Sequence, residues 1–327
     1  MKDVFSLKKT LGKRFFKREL LGALVSINAV IFSGCLQSEE MFTAPAVDER
    51  PALPLPPGVD LESVCGMVDD LQHVEKYDGS LGVTQNYVGT HEKSTVQFQW
   101  KERADIRTVL GGDGDAGNIS NERWCSGTLF QSTDESGLVQ DYVLTAAHCF
   151  ESKSRGWFTP TIDGAALSPE ANAKLMWVNL NYQLNPEAGT LRIPAQFSID
   201  SLVEYGFNNG GLDYAVVKLG GFAKGDSNYR KFYAQIVPRE LQRGESLTII
   251  QHPQGDPKKI ESGSLQGVIG NDAFYGNIDT HGGSSGSGVR NKDGVIVAVH
   301  THGGCSVGGG ANKGLTLQAI GSASNIF

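Results

Sequence analysis

The 327-residue chain is long enough for one large domain with additional segments, and its 41 glycines and 12 prolines exclude a long helical bundle. The net charge of −7 is uneven, because residues 1–34 hold seven Lys/Arg against two acids, a local +5 that leaves −12 for the rest. A body that acidic is a poor partner for nucleic acid, whose affinity comes largely from Lys and Arg on phosphates.

The first element is a targeting segment over residues 1–34. A basic start, with Lys8, Lys9, Lys13, Arg14, Lys17 and Arg18, leads into the apolar run Leu20 to Phe32, which is short for a membrane span. The run ends in Ile31-Phe32-Ser33-Gly34-Cys35. This resembles a bacterial lipoprotein signal cut before Cys35, although Phe32 stands where leucine is usual. The resemblance implies a lipid on the Cys35 thiol and attachment to the cell envelope. Leu36, where aspartate would signal inner-membrane retention, implies the outer membrane if the cell has one. An ordinary secretory signal would instead give a secreted protein.

Residues 35–60, with Pro51-Ala52-Leu53-Pro54-Leu55-Pro56-Pro57-Gly58, read as an extended linker. Residues 61–94 read as a pro-like or wrapping segment with helical periodicity around Val64 to Val74. From residue 95 to 327 the pattern turns to short strands. Thr95 to Trp100 alternates with period two, and Trp124 to Phe130 with Tyr142 to Ala146 suggests a hairpin around the loop Gln131 to Asp141. Leu175 to Leu180, Tyr214 to Leu219, Ser246 to Ile250, Val295 to Val299 and Leu315 to Ile320 continue the series. The class is all-β, a barrel or a sandwich.

Three stretches in this region carry chemistry. Leu144-Thr145-Ala146-Ala147-His148-Cys149 presents a histidine, Leu212-Asp213-Tyr214 a carboxylate, and Gly282-Gly283-Ser284-Ser285-Gly286 a serine between glycines. A serine hydroxyl becomes a nucleophile when a histidine takes its proton, and the histidine needs a carboxylate to fix its tautomer. Gly283 can turn its N–H and that of Ser285 toward one spot, an oxyanion hole, and Gly286 leaves the rear of the serine uncrowded. The histidines form no His-x-x-x-His pair with a carboxylate partner, so no metal or other cofactor is expected.

All three stretches, in the order His148, Asp213, Ser285, resemble the trypsin-like serine endopeptidases. The resemblance implies two six-stranded antiparallel β-barrels with the active site in the cleft between them. Gln251-His252-Pro253-Gln254-Gly255 and Asn179-Leu180-Asn181-Tyr182-Gln183 are similar to lysyl endopeptidases, whereas Ala298-Val299-His300-Thr301-His302-Gly303-Gly304 and Asn312-Lys313-Gly314 are closer to glutamyl endopeptidases. His252 is expected to be structural. Ser284 stands where trypsin has the aspartate that pairs with a freed N-terminus, so that route of activation is excluded. Leu315 to Phe327 looks too short for the closing helix of the clan.

The glutamyl resemblance assigns His300 and Thr280 to the grip on a substrate carboxylate, with Thr301, His302 and Gly303 in the pocket wall. Asp279, at the trypsin-type pocket position, keeps a basic preference open, but Cys305 to Lys313 lacks the acidic residue of the lysyl branch. With Cys35 assigned to lipid, Cys65, Cys125, Cys149 and Cys305 remain, and four cysteines allow three pairings. The family implies Cys125–Cys149 and Cys65–Cys305. The expected function is cleavage of protein or peptide substrates with a P1 preference for Glu/Asp, P1 being the residue on the acyl side of the cut. The alternatives are Lys/Arg preference, or a protease-like surface protein that binds a partner without turnover.

Overall fold

The computed structural model describes residues 63–153, 156–207 and 212–327. The targeting segment, the linker and Cys35 lie outside the described residues. The first barrel contains β1 (Thr95–Trp100), β2 (Arg123–Thr133), β3 (Val139–Thr145), β4 (Met176–Leu180), β5 (Ala195–Tyr205) and β6 (Ala215–Gly225), closed in the order β1-β2-β3-β6-β5-β4. The second contains β7 (Ser246–Gln251), β8 (Lys259–Ile269), β9 (Asp272–Gly276), β10 (Gly288–Asn291), β11 (Ile296–His302) and β12 (Asn312–Thr316). Here β8 pairs with both β7 and β9, closing the ring β7-β8-β9-β12-β11-β10. The two rings are wound alike, and every pairing is antiparallel.

Period-two alternation explains how the barrels meet. On β3 and β6, Val143, Ala215 and Val217 pack with Phe98, Trp100 and Phe150 inside the first barrel. Their neighbours Tyr142, Leu144 and Val216 face the other way and join Ile296, Val299 and Leu315 of the second. The core of the second barrel is built from Leu247, Ile249, Leu265, Tyr275, Val289 and Val297.

Three local expectations are corrected. The hairpin loop after Phe130 is shorter than Gln131 to Asp141, because the ladder runs on through Gln131↔Asp141 to Thr133↔Val139. The Asp134 carboxylate accepts the Ser136 and Leu138 amides and closes the turn. Leu315 to Ile320 is not one strand. β12 ends at Thr316, whose hydroxyl caps a short helix Leu317–Ala323, so a closing helix is present after all. Val64 to His73 is not helical, and only a single 3-10 turn, Val74–Lys76, follows.

Residues 63–73 run instead as an extended strap on the second barrel, ending in the pair Gln72–His73 against Ile260 and Lys259 of β8. The helix of this segment comes later, at Gln85–His91, behind the capping hydroxyl of Thr84. Its end is held by the fully buried Lys258, whose ammonium donates to the Glu92 carbonyl and carboxylate and to Gln183 Oε1 at 2.6–2.9 Å.

Beneath the strap, Glu261 of β8 is buried, and burial, with Asp70 and Asp279 beside it, pushes its carboxyl up to about 9. A folded pKa above the unfolded value of 4.5 means that stability present below 4.5 is lost as pH rises through about 9. Thermal unfolding is therefore expected to move to lower temperature across that window, and Glu261→Gln is expected to flatten the slope. An identical slope in the variant would remove Glu261 as its source.

Candidate active site

His148 sits on a single 3-10 turn, Ala147–Phe150, just beyond β3, and Asp213 lies just before β6. The two strands are neighbours, with Thr145 paired to Ala215, so the ladder delivers both side chains to one point. The Asp213 carboxylate accepts the His148 backbone amide at 3.0 Å through Oδ1 and faces His148 Nδ1 at 2.7 Å through Oδ2. Across the cleft, Ser285 Oγ lies 2.8 Å from His148 Nε2. All three are buried. Burial alone raises the Asp213 carboxyl, but the hydrogen bonds and charge of His148 together outweigh it and hold the group below its ordinary value.

The serine turn is built on backbone that other residues resist. Gly286 has φ +87°, and a Cβ there would lie 2.0 Å from Thr145 Oγ1. Gly283 has φ +102°, and a Cβ there would meet the His252 carbonyl at 2.7 Å. Ser284 closes the turn without charge, its hydroxyl accepting the His281 amide at 3.1 Å. From the first barrel, Ser126 reaches over: its amide donates to the Ser285 carbonyl (2.9 Å) and its hydroxyl to the Gly283 carbonyl (2.8 Å). The same hydroxyl accepts the His252 amide at 2.9 Å, and the buried His252 ring bonds the Asp256 carbonyl. In the sequence the one signal for Ser126 is its place directly after Cys125.

The pocket residues are brought together unevenly. His302 stands at the mouth, 38% exposed, with its ring centroid 5.8 Å from that of His148 and Nδ1 4.0 Å from Asp213. Thr301 donates to the Lys313 carbonyl, and Gly303 follows at the edge. His300 is fully buried, with Nδ1 hydrogen-bonded to the Tyr275 hydroxyl; burial, then repulsion from His302 and His148, pulls its pKa to about 3. Thr280 is also fully buried. The Asp279 carboxylate is turned to the strap, where it accepts the amides of Cys65 at 2.6 Å and Asp70 at 3.3 Å. Two disulfides frame the site. Cys125–Cys149 lies beside the His148 turn, and Cys65–Cys305 joins the strap to the segment after β11.

Two barrels with this cleft define a trypsin-like serine protease of the chymotrypsin clan. The chain belongs to the lysyl endopeptidase family, whose C-terminal domain model matches residues 90–316. Among solved structures it is similar to a Glu endopeptidase in complex with MPD (20% identity, 80% of this chain and 96% of that one, TM-score 0.47). It is also similar to human heparin binding protein (14%, 72% and 92%, 0.45) and to the Vibrio cholerae VesB protease (14%, 71% and 62%, 0.44). No curated protein matches it.

Proposed function

We propose that the protein hydrolyses peptide bonds through Ser285, His148 and Asp213. The observation that carries this is the continuous array Asp213 Oδ2–His148 Nδ1 (2.7 Å) and His148 Nε2–Ser285 Oγ (2.8 Å). Ser285 Oγ attacks the scissile carbonyl carbon and passes its proton to His148 Nε2. The Gly283 and Ser285 amides hold the resulting oxyanion. The imidazolium, steadied by Asp213, then gives its proton to the leaving amine, and water repeats the sequence on the acyl-enzyme.

The P1 preference is for Glu or Asp. A basic P1 side chain would need a carboxylate in the pocket, and the Asp279 carboxylate is already engaged by two strap amides. The family match to lysyl endopeptidases favours the basic reading, but an unpartnered ammonium in a buried pocket would cost several kcal/mol. Thr280 supplies a hydroxyl suited to a carboxylate, and His300 beside it is neutral, its ring engaged by the Tyr275 hydroxyl and the Lys313 backbone. Both are shielded from solvent. Cleavage of a peptide library by the purified protein, with fluorophosphonate labelling of Ser285, tests the reading. Labelling without cleavage would favour a binding role, and cuts after Lys or Arg would overturn the acidic preference.

The lipid on Cys35 and attachment to the envelope are part of the same proposal, supported by the basic start, the short apolar run and Ser33-Gly34-Cys35. Wild-type protein is expected to partition into detergent and Cys35→Ser protein into the aqueous phase. Equal partitioning would remove the anchor.

A further inference from the structure

We propose that Asn312 is the positioning residue of the specificity pocket and that the strap is one of the pocket's walls; this rests on the reading of Ser285 and its pocket given above. Asn312 opens β12, and its side chain has no contact with solvent. Its Oδ1 accepts from the Gly304 amide (2.9 Å), the Cys305 amide (3.1 Å) and Ser63 Oγ (3.0 Å). Its Nδ2 points its two protons at the Ile278 carbonyl (2.8 Å) and the Ser63 carbonyl (2.8 Å), and lies 3.1 Å from Thr280 Oγ1, which shares one of them. One amide therefore ties together the run into the nucleophile turn, the wall after β11, and the strap.

Asparagine suits this point because a single side chain presents both an acceptor with two lone pairs and two donors. A carboxylate could not serve the carbonyls, and an aliphatic side chain would leave several buried polar groups unmet. The strap does more than fill space. The Ser63 amide also donates to Thr280 Oγ1 (3.3 Å), and the Thr280 amide donates back to the Ser63 carbonyl (3.3 Å). With the Ser63 amide directed at the Thr280 hydroxyl oxygen and an Asn312 Nδ2 proton shared with it, that oxygen is placed as an acceptor toward the strap and β12, and what the hydroxyl offers elsewhere is its proton. Asn312 and the strap thus orient Thr280 as a donor, which selects a P1 side chain that accepts. Asp279 and the Cys65–Cys305 bridge hold the strap in register for this contact.

The test uses the full chain and peptides that differ only at P1 (Glu, Gln, Ala, Lys). In Asn312→Ala, the kcat/KM of the best P1 relative to P1 Ala is expected to fall about tenfold, mostly through KM, while labelling of Ser285 by a small fluorophosphonate without a P1 group stays within about twofold. Ser63→Pro deletes the amide that meets Thr280 and the hydroxyl that meets Asn312 Oδ1, in a partly exposed segment, and is expected to shift the P1 profile in the same sense but less. It carries the test if Asn312→Ala does not fold. An unchanged P1 profile, or a parallel loss for every substrate and for the probe, would overturn the proposal while leaving Ser285 as the nucleophile. Absence of labelling in the wild type would overturn the nucleophile assignment itself, and this proposal with it.

Discussion

Ser285→Ala is expected to lower peptide hydrolysis by a factor on the order of 10⁴–10⁶ without moving thermal unfolding. The loss is large because, in the proposed mechanism, the Oγ removed is the atom that forms the acyl bond. The fold is expected to tolerate the change. The turn is held through the Ser285 carbonyl, which accepts from Ser126, and by the Gly286 amide, which donates to the His300 carbonyl, and alanine keeps both. His148→Ala should cost a similar amount, and the double variant little more, because the two side chains act as a unit. Turnover measured on purified, folded variants decides the matter. Near-normal activity in Ser285→Ala would remove it as the nucleophile.

Replacing Cys65 and Cys305 together by serine is expected to destabilise the protein by about 5 kcal/mol on the chain-entropy model. The bridge spans 240 residues of sequence, so its loss frees a very large loop in the unfolded chain. The strap would keep the Asp279, Asn312 and β8 contacts, so the native structure is expected to persist at low temperature and melt earlier. The same pair of substitutions at Cys125 and Cys149, 24 residues apart, should cost less. Unfolding in denaturant distinguishes the two, and an unchanged midpoint for the Cys65/Cys305 variant would contradict the expectation.

Strands were legible where one residue in two is apolar, as in Thr95–Trp100 and Ser246–Gln251, because the alternation is itself the packing pattern. The stretches around His148, Asp213 and Ser285 stand out in the sequence because the chemistry proposed for them demands particular residue types. The matching winding of the two barrels does not, because it is a property of strand pairing and leaves no common residues to compare. The strap's sequence differs from its fold for a physical reason. Val64, Met67, Val68 and Leu71 recur at helical spacing, yet Met67 and Val68 are exposed, and the path is set by Asp279 and Cys305, more than 200 residues away. The terminal helix was missed because seven residues give too short a run for periodicity to register. Asn312, in a glycine-rich stretch, has the look of a turn residue; only the folded chain brings Ser63, Ile278, Thr280, Gly304 and Cys305 around its amide.

Ser126 has a consequence for how the cleft can admit a substrate. It belongs to one barrel, yet three of its hydrogen bonds, to Ser285, Gly283 and His252, are to backbone of the other. A rocking of one barrel against the other would tear all three at once, and each buried polar group left without a partner costs about 1–3 kcal/mol. Domain-scale hinging is therefore a costly gating motion for this enzyme. The seam behaves as a weld, and accommodation of the peptide falls to the peripheral loops.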